Sequence, residues 1–344
     1  MIKPRLSLFL GLLAGLQAGA ALLPGAGLQA RPRAPLALAG HEQPVALLHA
    51  GKATLVITAH SVWRLEGTRL VRKYVSAAPV QCATATDTTL WLGTRQGVLV
   101  LGTRHFGARA LPLPTAEPAG AITALFHDRQ GALWVGVDGQ GAFRQQPDGQ
   151  LAQELRTPAV SAGAVTADSS VWLATNIGLS RKQGARWTRY NEEGVANFEI
   201  PDNIVNKLLL DNAGSLWVIM SDAIAVVDAA GRRAEGELPT VKFLGQPGNE
   251  VFGVVHLPGE GRLFATAQGL LLLPAEPAAS FAPATGTDQV LPKQLLQPVA
   301  APAGRPVLAQ LDARQRLWLV SDEAVSVLTP KQVRRLLHPA PTAR

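Results

Sequence analysis

Cysteine is almost absent: Cys82 stands alone in 344 residues. No intramolecular disulfide can form, and no cysteine pair is available to hold a structural zinc. Only 17% of residues are charged and 5% aromatic, with just two tyrosines, Tyr74 and Tyr190. That leaves few stacking platforms for neutral sugars. The seven histidines (His41, His49, His60, His105, His127, His256 and His338) show neither H-x-H nor H-E-x-x-H spacing, and neither a G-x-S-x-G elbow nor a phosphate loop is found. No catalytic residue, cofactor or metal site is therefore assigned, apart from a weak calcium option at Asn191-Glu192-Glu193. The formal net charge is +7, which can attract anionic polymers such as lipopolysaccharide or acidic glycans. Basic residues nevertheless cluster only in pairs such as Arg232-Arg233 and Arg334-Arg335, so nucleic acid is not an expected partner. Helical periodicity of useful length is also missing beyond the first residues.

The chain is rich instead in glycine (33) and proline (25), the composition of many short strands joined by turns. Residues 1–20 have the form of a signal peptide: Lys3 and Arg5, an apolar run from Leu6 to Leu16, then Ala18-Gly19-Ala20 at the cleavage positions. A periplasmic or secreted protein is expected, with no membrane span after signal cleavage. Residues 21–44 read as a linker that could lend one strand to close a ring.

From Val45 onward the chain repeats itself. The stretch Ala121–Arg144, AITALFHDRQGALWVGVDGQGAFR, contains three extended runs broken by Asp128-Arg129-Gln130-Gly131 and Asp138-Gly139-Gln140-Gly141. Those connections are of hairpin length. The same unit recurs at Ile204–Asp228 and Pro306–Leu328, with Asp128/Trp134, Asp211/Trp217 and Asp312/Trp318 as matching pairs. Shorter-turn copies carry Asp87/Trp91 and Asp168/Trp172, and two degenerate copies place Val56 and Phe264 at the tryptophan position. Seven copies of about 44 residues predict an all-β chain: a single seven-bladed β-propeller of four-stranded antiparallel blades over 45–338, preceded by the signal peptide and followed by a tail at 339–344. Fourth strands are expected near Leu70–Val75, Arg109–Pro114, Gln150–Arg156, Ala185–Tyr190, Arg233–Leu238, Ser280–Ala284 and Gln332–Leu337. A monomer is expected.

The repeated side chains read as structural. An Asp carboxylate accepts backbone N–H groups two residues on and fixes a turn, and a feature present five times is a poor candidate for one catalytic site. The tryptophans, and Phe264 with them, read as residues packed between blades. The sialidase Asp-box has a related pattern, but its Asp and Gly are one residue closer, and no arginine cluster with a Tyr/Glu pair accompanies the motif here.

The pattern D-x-x-G-x-L-W, a small or apolar pair, a polar turn and G-x-x-R, clearest in DRQGALWVGVDGQGAFR at Asp128–Arg144, resembles the two-component regulator propeller repeat. The run Trp187–Val218 is similar to that family's passage from one blade to the next. The resemblance covers about 45–337. It implies a propeller in the periplasm or at the cell surface, where related modules sense glycans at the head of hybrid histidine kinases or occur in surface proteins tied to protein secretion. This sequence shows one ring of repeats and no kinase, response-regulator or further secretion domain.

In a meander running outward, the turns between second and third strands share a face with the blade-to-blade loops. Ligand-binding candidates on that face are His60, Arg95, Asp138, Gln140, Asn176, Asp222, Gln268 and Glu323 from the turns, with Tyr190, Glu192, Glu193, Asn203 and Asn249 from the loops. Two functions are open to such a chain. One is a non-catalytic exported module that binds an envelope glycan or a protein partner, such as a sensor kinase or a secretion component. The other is a polysaccharide or cyclic-ester lyase with a His or Tyr base near an Arg or a metal in the central funnel.

Overall fold

The structure is a computed structural model and describes residues 34–114, 120–192, 200–221, 223–227, 240–241, 250–275 and 295–339. Its strands form seven four-stranded antiparallel sheets. Blade I is β2 (Pro44–Ala50), β3 (Ala53–Thr58), β4 (Ser61–Glu66) and β5 (Arg69–Val75). Blade II is β6 (Val80–Ala85), β7 (Thr89–Thr94), β8 (Gly97–Gly102) and β9 (Ala108–Leu111). Blade III is β10 (Ile122–His127), β11 (Leu133–Val137), β12 (Gly141–Gln145) and β13 (Leu151–Leu155). Blade IV comes next with β14 (Val160–Val165), β15 (Val171–Thr175), β16 (Gly178–Gln183) and β17 (Arg186–Tyr190). Blade V holds β18 (Val205–Leu210), β19 (Leu216–Met220), β20 (Ile224–Val227) and β21 (Thr240–Val241). Blade VI holds β22 (Val251–Leu257), β23 (Gly261–Thr266), β24 (Gly269–Pro274) and β25 (Gln297–Val299).

Blade VII is assembled from both ends of this unit. Its inner strands are β26 (Leu308–Leu311), β27 (Leu317–Val320) and β28 (Ala324–Leu328), and its outer strand is β1 (Leu36–Ala37). Leu36 pairs with Val325 and Ala37 with Ala324, antiparallel. The Leu38 amide donates to the Glu323 carbonyl at 2.8 Å. First strands of successive blades touch all the way round, with β26 meeting β2, so the ring is closed. The stretch read as linker therefore supplies a strand.

The fourth strand expected at Gln332–Leu337 is instead α1 (Pro330–Leu337). Thr329 caps it, with its hydroxyl accepting from the Gln332 amide and the Gln332 side chain accepting from the Thr329 amide. Pro330 stands in the first turn, where a missing N–H costs nothing. Val333 and Leu337, four residues apart, are buried against the seam between blades VI and VII. A strand would put Arg335 on the same face as these two, whereas it is exposed, so a helix face is the arrangement that buries both. The outer strands of blades V and VI fall at Thr240–Val241 and Gln297–Val299. Arg233–Leu238, Ser280–Ala284, the signal peptide and residues 340–344 lie outside the described residues.

The apolar core is divided into seven clusters, each spanning the seam between two consecutive blades. Second strands, such as β11 and β15, are buried along their whole length, because both faces meet a neighbouring blade. Alternation then decides which neighbour a side chain meets. Trp91, Trp134, Trp172, Trp217 and Trp318 all pack into the seam with the following blade. Register corrects the two degenerate copies. Trp134 opposes Phe126, two residues inward from the irregularity at Ile122/Ala124, and the equivalent positions are Leu55 opposite Leu48 and Leu263 opposite Val255. Val56 and Phe264 stand one residue later and so on the other face. Each packs into the seam with the preceding blade, Phe264 edge-on to Trp217 at 5.4 Å.

Close seam packing also explains Gly163 of β14. A Cβ there would fall inside the Phe126 ring of blade III. Cys82 donates weakly to the Ile122 carbonyl at 3.5 Å, and burial pushes its thiol up to about 12, the behaviour of an unreactive buried sulfur.

Ring closure makes a direct prediction. Leu38 is 2% exposed, so Leu38→Asp places a carboxylate in the last seam and should cost roughly 3 kcal/mol or more. Chemical denaturation against a Leu38→Met control measures this, and a midpoint matching that of the control would refute the closure.

Candidate functional site

The turn aspartates come first because they set the scaffold. Asp128 Oδ1 accepts the amides of Gln130 (3.0 Å) and Ala132 (2.9 Å), while Oδ2 accepts the Trp134 indole N–H at 3.1 Å and Arg144 Nε at 2.7 Å. Asp211 does the same for Ala213, Ser215 and Trp217, and Asp312 for Arg314, Arg316 and Trp318. Each carboxylate closes its turn and fixes the indole packed beneath. Blade IV achieves this by a relay. Trp172 donates to Thr166 Oγ1 at 3.0 Å, Thr166 donates to Asp168 at 2.5 Å, and Arg181 holds Asp168 at 2.8 Å. Blade II departs from the expectation. Asp87 is exposed and accepts from Thr103 through its backbone carbonyl, while Trp91 meets the edge of His127. The shorter turn puts Ala85, which has no acceptor, six residues before Trp91.

Gly131 and Gly214 take positive φ in these turns, and Gln315 is forced to 57° at the same place in blade VII. Gln315→Gly should therefore stabilise the protein by about 0.5–1 kcal/mol, read as a higher thermal midpoint; a lower midpoint would contradict the assignment. The pH dependence has a definite sign. Burial alone would raise the Asp312 pKa, but the Arg316 amide, the Trp318 indole, the Arg316 guanidinium and the Arg314 amide outweigh it and hold it at about 2, below the ordinary 3.8. A depressed acid contributes stability that is complete above the unfolded value and is lost as pH falls through the folded one. Asp128 and Asp168 are also lowered. Denaturation midpoints should fall between about pH 4 and 2, and Asp312→Asn should flatten that fall. An unchanged slope would refute the role.

At the opposite end of the blades, hydroxyl groups pin the turns between second and third strands. Thr94, Thr175 and Thr266 donate to the carbonyls of Gly97, Gly178 and Gly269 at 3.0, 2.6 and 2.9 Å, and accept the amides of Gln96, Ile177 and Gln268. Ser321 and Thr58 hold blades VII and I in the same way. The repeated Thr-x-x-Gly at the end of the second strand is the sequence signal for this device, one that the search for Asp–Trp pairs passes over. Glu42 adds a tie from the chain entering blade I, accepting from the hydroxyls of Thr58 and Ser61 and from the His60 amide. Burial would raise its pKa, but these bonds outweigh burial and lower it.

On this face the channel opens into a cavity of about 1120 Å³. Charged residues of both signs line it: Lys207, Glu250, Arg305, Asp322 and Glu323, with Phe252 as an aromatic wall and His41 at the rim. Lys207 lies over the Phe252 ring with its Nζ 4.5 Å from the centroid, and Glu250 Oε2 is 3.7 Å away. Burial lowers the Lys207 pKa, and Glu250 partly opposes that shift.

Of the expected binding residues, Glu323 lines the cavity. His60, Arg95, Asp138, Asn176 and Gln268 are exposed and Gln140 half-buried at the turns, outside the lining. Gln140 offers its carbonyl to Gln153 at 2.6 Å. Tyr190 is wholly buried against Trp172 at 5.7 Å and belongs to the core, because β17 continues through it. Asn203 is a brace: its side chain accepts from the exposed Glu192 amide and its carbonyl from Gly178. Asp222, Glu193 and Asn249 lie outside the described residues. Lys207, Glu250, Phe252, Arg305 and Asp322 were missed. The available signal was an isolated lysine inside the apolar run IVNKLLL. Among the described residues no group of three His, Cys, Asp or Glu is placed to hold a metal, and no helix is long and apolar enough to cross a membrane.

The architecture is a seven-bladed β-propeller with a polar channel mouth, and solved structures of that kind resemble it. They include the extracellular domain of a protein assigned as a hybrid two-component system from B. thetaiotaomicron, at 13% identity and TM-score 0.58, covering 84% of this chain and 40% of that one. Another is virginiamycin B lyase from Staphylococcus aureus, at 16% identity and TM-score 0.60, covering 84% and 95%. A third is PorZ, a bacterial surface component of the type IX secretion system of Porphyromonas gingivalis, at 13% identity and TM-score 0.55, covering 84% and 46%. The chain thus spans less than half of the sensor and secretion chains and nearly all of the lyase. At these identities the likeness is one of fold. No protein-family model matches the sequence, and no curated protein matches it.

Proposed function

We propose that the protein is an exported, non-catalytic propeller that binds an envelope glycan or a protein partner at the channel mouth. The observation that carries this reading is the cavity of about 1120 Å³ lined by Lys207, Glu250, Arg305 and Glu323 from three blades. Such a concave site with a few convergent polar groups is where a propeller takes a ligand. Pinned turns surround it, so the rim is held in place before a ligand arrives, which lowers the entropic cost of binding. Export rests on the form of residues 1–20, and a sensor or secretion context rests on the resemblance of the repeats.

A lyase is the second reading, favoured by one observation: His41 and Arg305 both line the cavity, and a lyase needs a base and a charge neutraliser drawn from different parts of the ring. The two readings separate in one experiment. The purified protein is incubated with soluble envelope polysaccharide of the producing cell while retention on the protein and ultraviolet absorbance of unsaturated product are followed together. We expect retention without product, reduced about tenfold in Arg305→Ala plus Glu323→Ala. Product formation that disappears in His41→Ala would replace the binding function with the lyase.

A further inference from the structure

Lys207 is out of pattern. It is the first residue after the irregularity that opens the inner strand of blade V, opposite Ile219. The equivalent places in the other blades hold Ala46, Cys82, Ala124, Ala162 and Gly253, and Leu308 in blade VII. Five of the six are small, and they face the seam with the following blade, where the neighbouring sheet comes close. A lysine here must carry its chain across the seam, and it does, lying along Phe252 of blade VI in the cavity wall.

This ammonium makes no hydrogen bond within ordinary distance among the described residues. Among the described residues its ion-pair partner is Glu250, at 3.7 Å, longer than a hydrogen bond. Glu250 belongs to the segment entering blade VI, and its side chain is 71% exposed against 38% for Lys207. A half-buried cation facing an exposed, loosely held acid is an arrangement in which the acid can be exchanged for one brought by a ligand. Arg305, on the same cavity, donates Nη1 to the Ala267 carbonyl at 2.8 Å and makes no other hydrogen bond among the described residues. Asp322 and Glu323 on the rim repel a dense polyanion, so the ligand that fits carries one carboxylate on a neutral body.

We infer that Lys207, assisted by Arg305, is the anchor for a single carboxylate of the ligand, and that Glu250 is the counterion this carboxylate displaces. This rests on the binding function proposed above and narrows it to a chemical class. The neutral body packs against Phe252 while the carboxylate takes the position now held by Glu250 Oε2. The carboxylate can belong to an acidic sugar or to the end of a peptide, and the recognition chemistry is the same.

Calorimetric titration with paired probes tests the inference: cellobiouronic acid against cellobiose, and N-acetyl-trialanine against its amide. The acid of at least one pair should bind at least tenfold more tightly than its neutral partner, and which pair responds identifies the source. Lys207→Met, which keeps the apolar stem over Phe252, should remove that preference, and Glu250→Gln should tighten acid binding several-fold. Mass-spectrometric acetylation of Lys207 in the parent should be slowed by the bound acid, a readout that does not depend on how the variants fold. Equal binding of acid and neutral probes, unchanged acid binding in Lys207→Met, or failure of both acids to bind the Glu250→Gln variant overturns the inference. Binding of cellobiose that does not depend on Lys207 would overturn it and leave the binding function standing, whereas an unsaturated product would remove that function.

Discussion

The seam between neighbouring blades is the constraint on which this structure depends. Each four-stranded sheet is too small to bury either of its faces alone, and its second strand is apolar on both. Burial comes only from the adjacent sheet, so every cluster of the core is shared by two blades. A ring satisfies all seven sheets at once, because a closed circle leaves no blade with an uncovered face. The Asp–Trp bonds work within this arrangement. They hold an indole at the rotation that fits the next blade, and the same carboxylate closes the turn above it.

Because the scaffold takes its stability from between the blades, the two ends of each blade are free to vary. At one end the short turns carry the Asp staples. At the other, hydroxyls of Thr94, Thr175, Thr266 and Ser321 fix the turn backbones and leave the adjoining side chains uncommitted. The mouth is therefore a rigid frame with exchangeable contents, and Lys207 shows how such a frame is specialised. One long cationic side chain at a place that holds a small residue in five of the other six blades gives the cavity a polarity that the repeat alone does not supply.

Much of the fold was legible because tryptophan and the Asp-x-x-Gly turn mark the repeat at intervals. Where tryptophan is missing, the run Leu55-Val56-Ile57 is apolar on both faces, so alternation cannot say which residue faces which blade, and the assignment slipped by one. The last outer strand was misplaced for another reason. Local pattern cannot reveal that Leu36 pairs with Val325, whereas Thr329-Pro330 with Gln332, and Arg335 lying between Val333 and Leu337, did mark a helix. For the site, topology put the candidates on the face where the cavity lies, but loop polarity did not mark its lining, of which Glu323 is the one candidate to form part. Turn tips such as Arg95 and Asn176 are exposed away from the cavity, and Tyr190 was drawn into the core by its own strand. Most residues that do line the mouth sit on inner strands and at blade entries, joined by Ala59, Asp322 and Glu323 from turns between second and third strands.

The pairing of β1 with β28 has a kinetic consequence. Six blades are built from hairpins whose contacts are local, but the seventh needs a strand held waiting from the start of the unit until the last three strands exist. Such a ring locks late and all at once, since the closing pairs join residues near opposite ends of the described chain. A chain of this kind stays open until its last three strands have formed, and becomes resistant to being pulled apart only then.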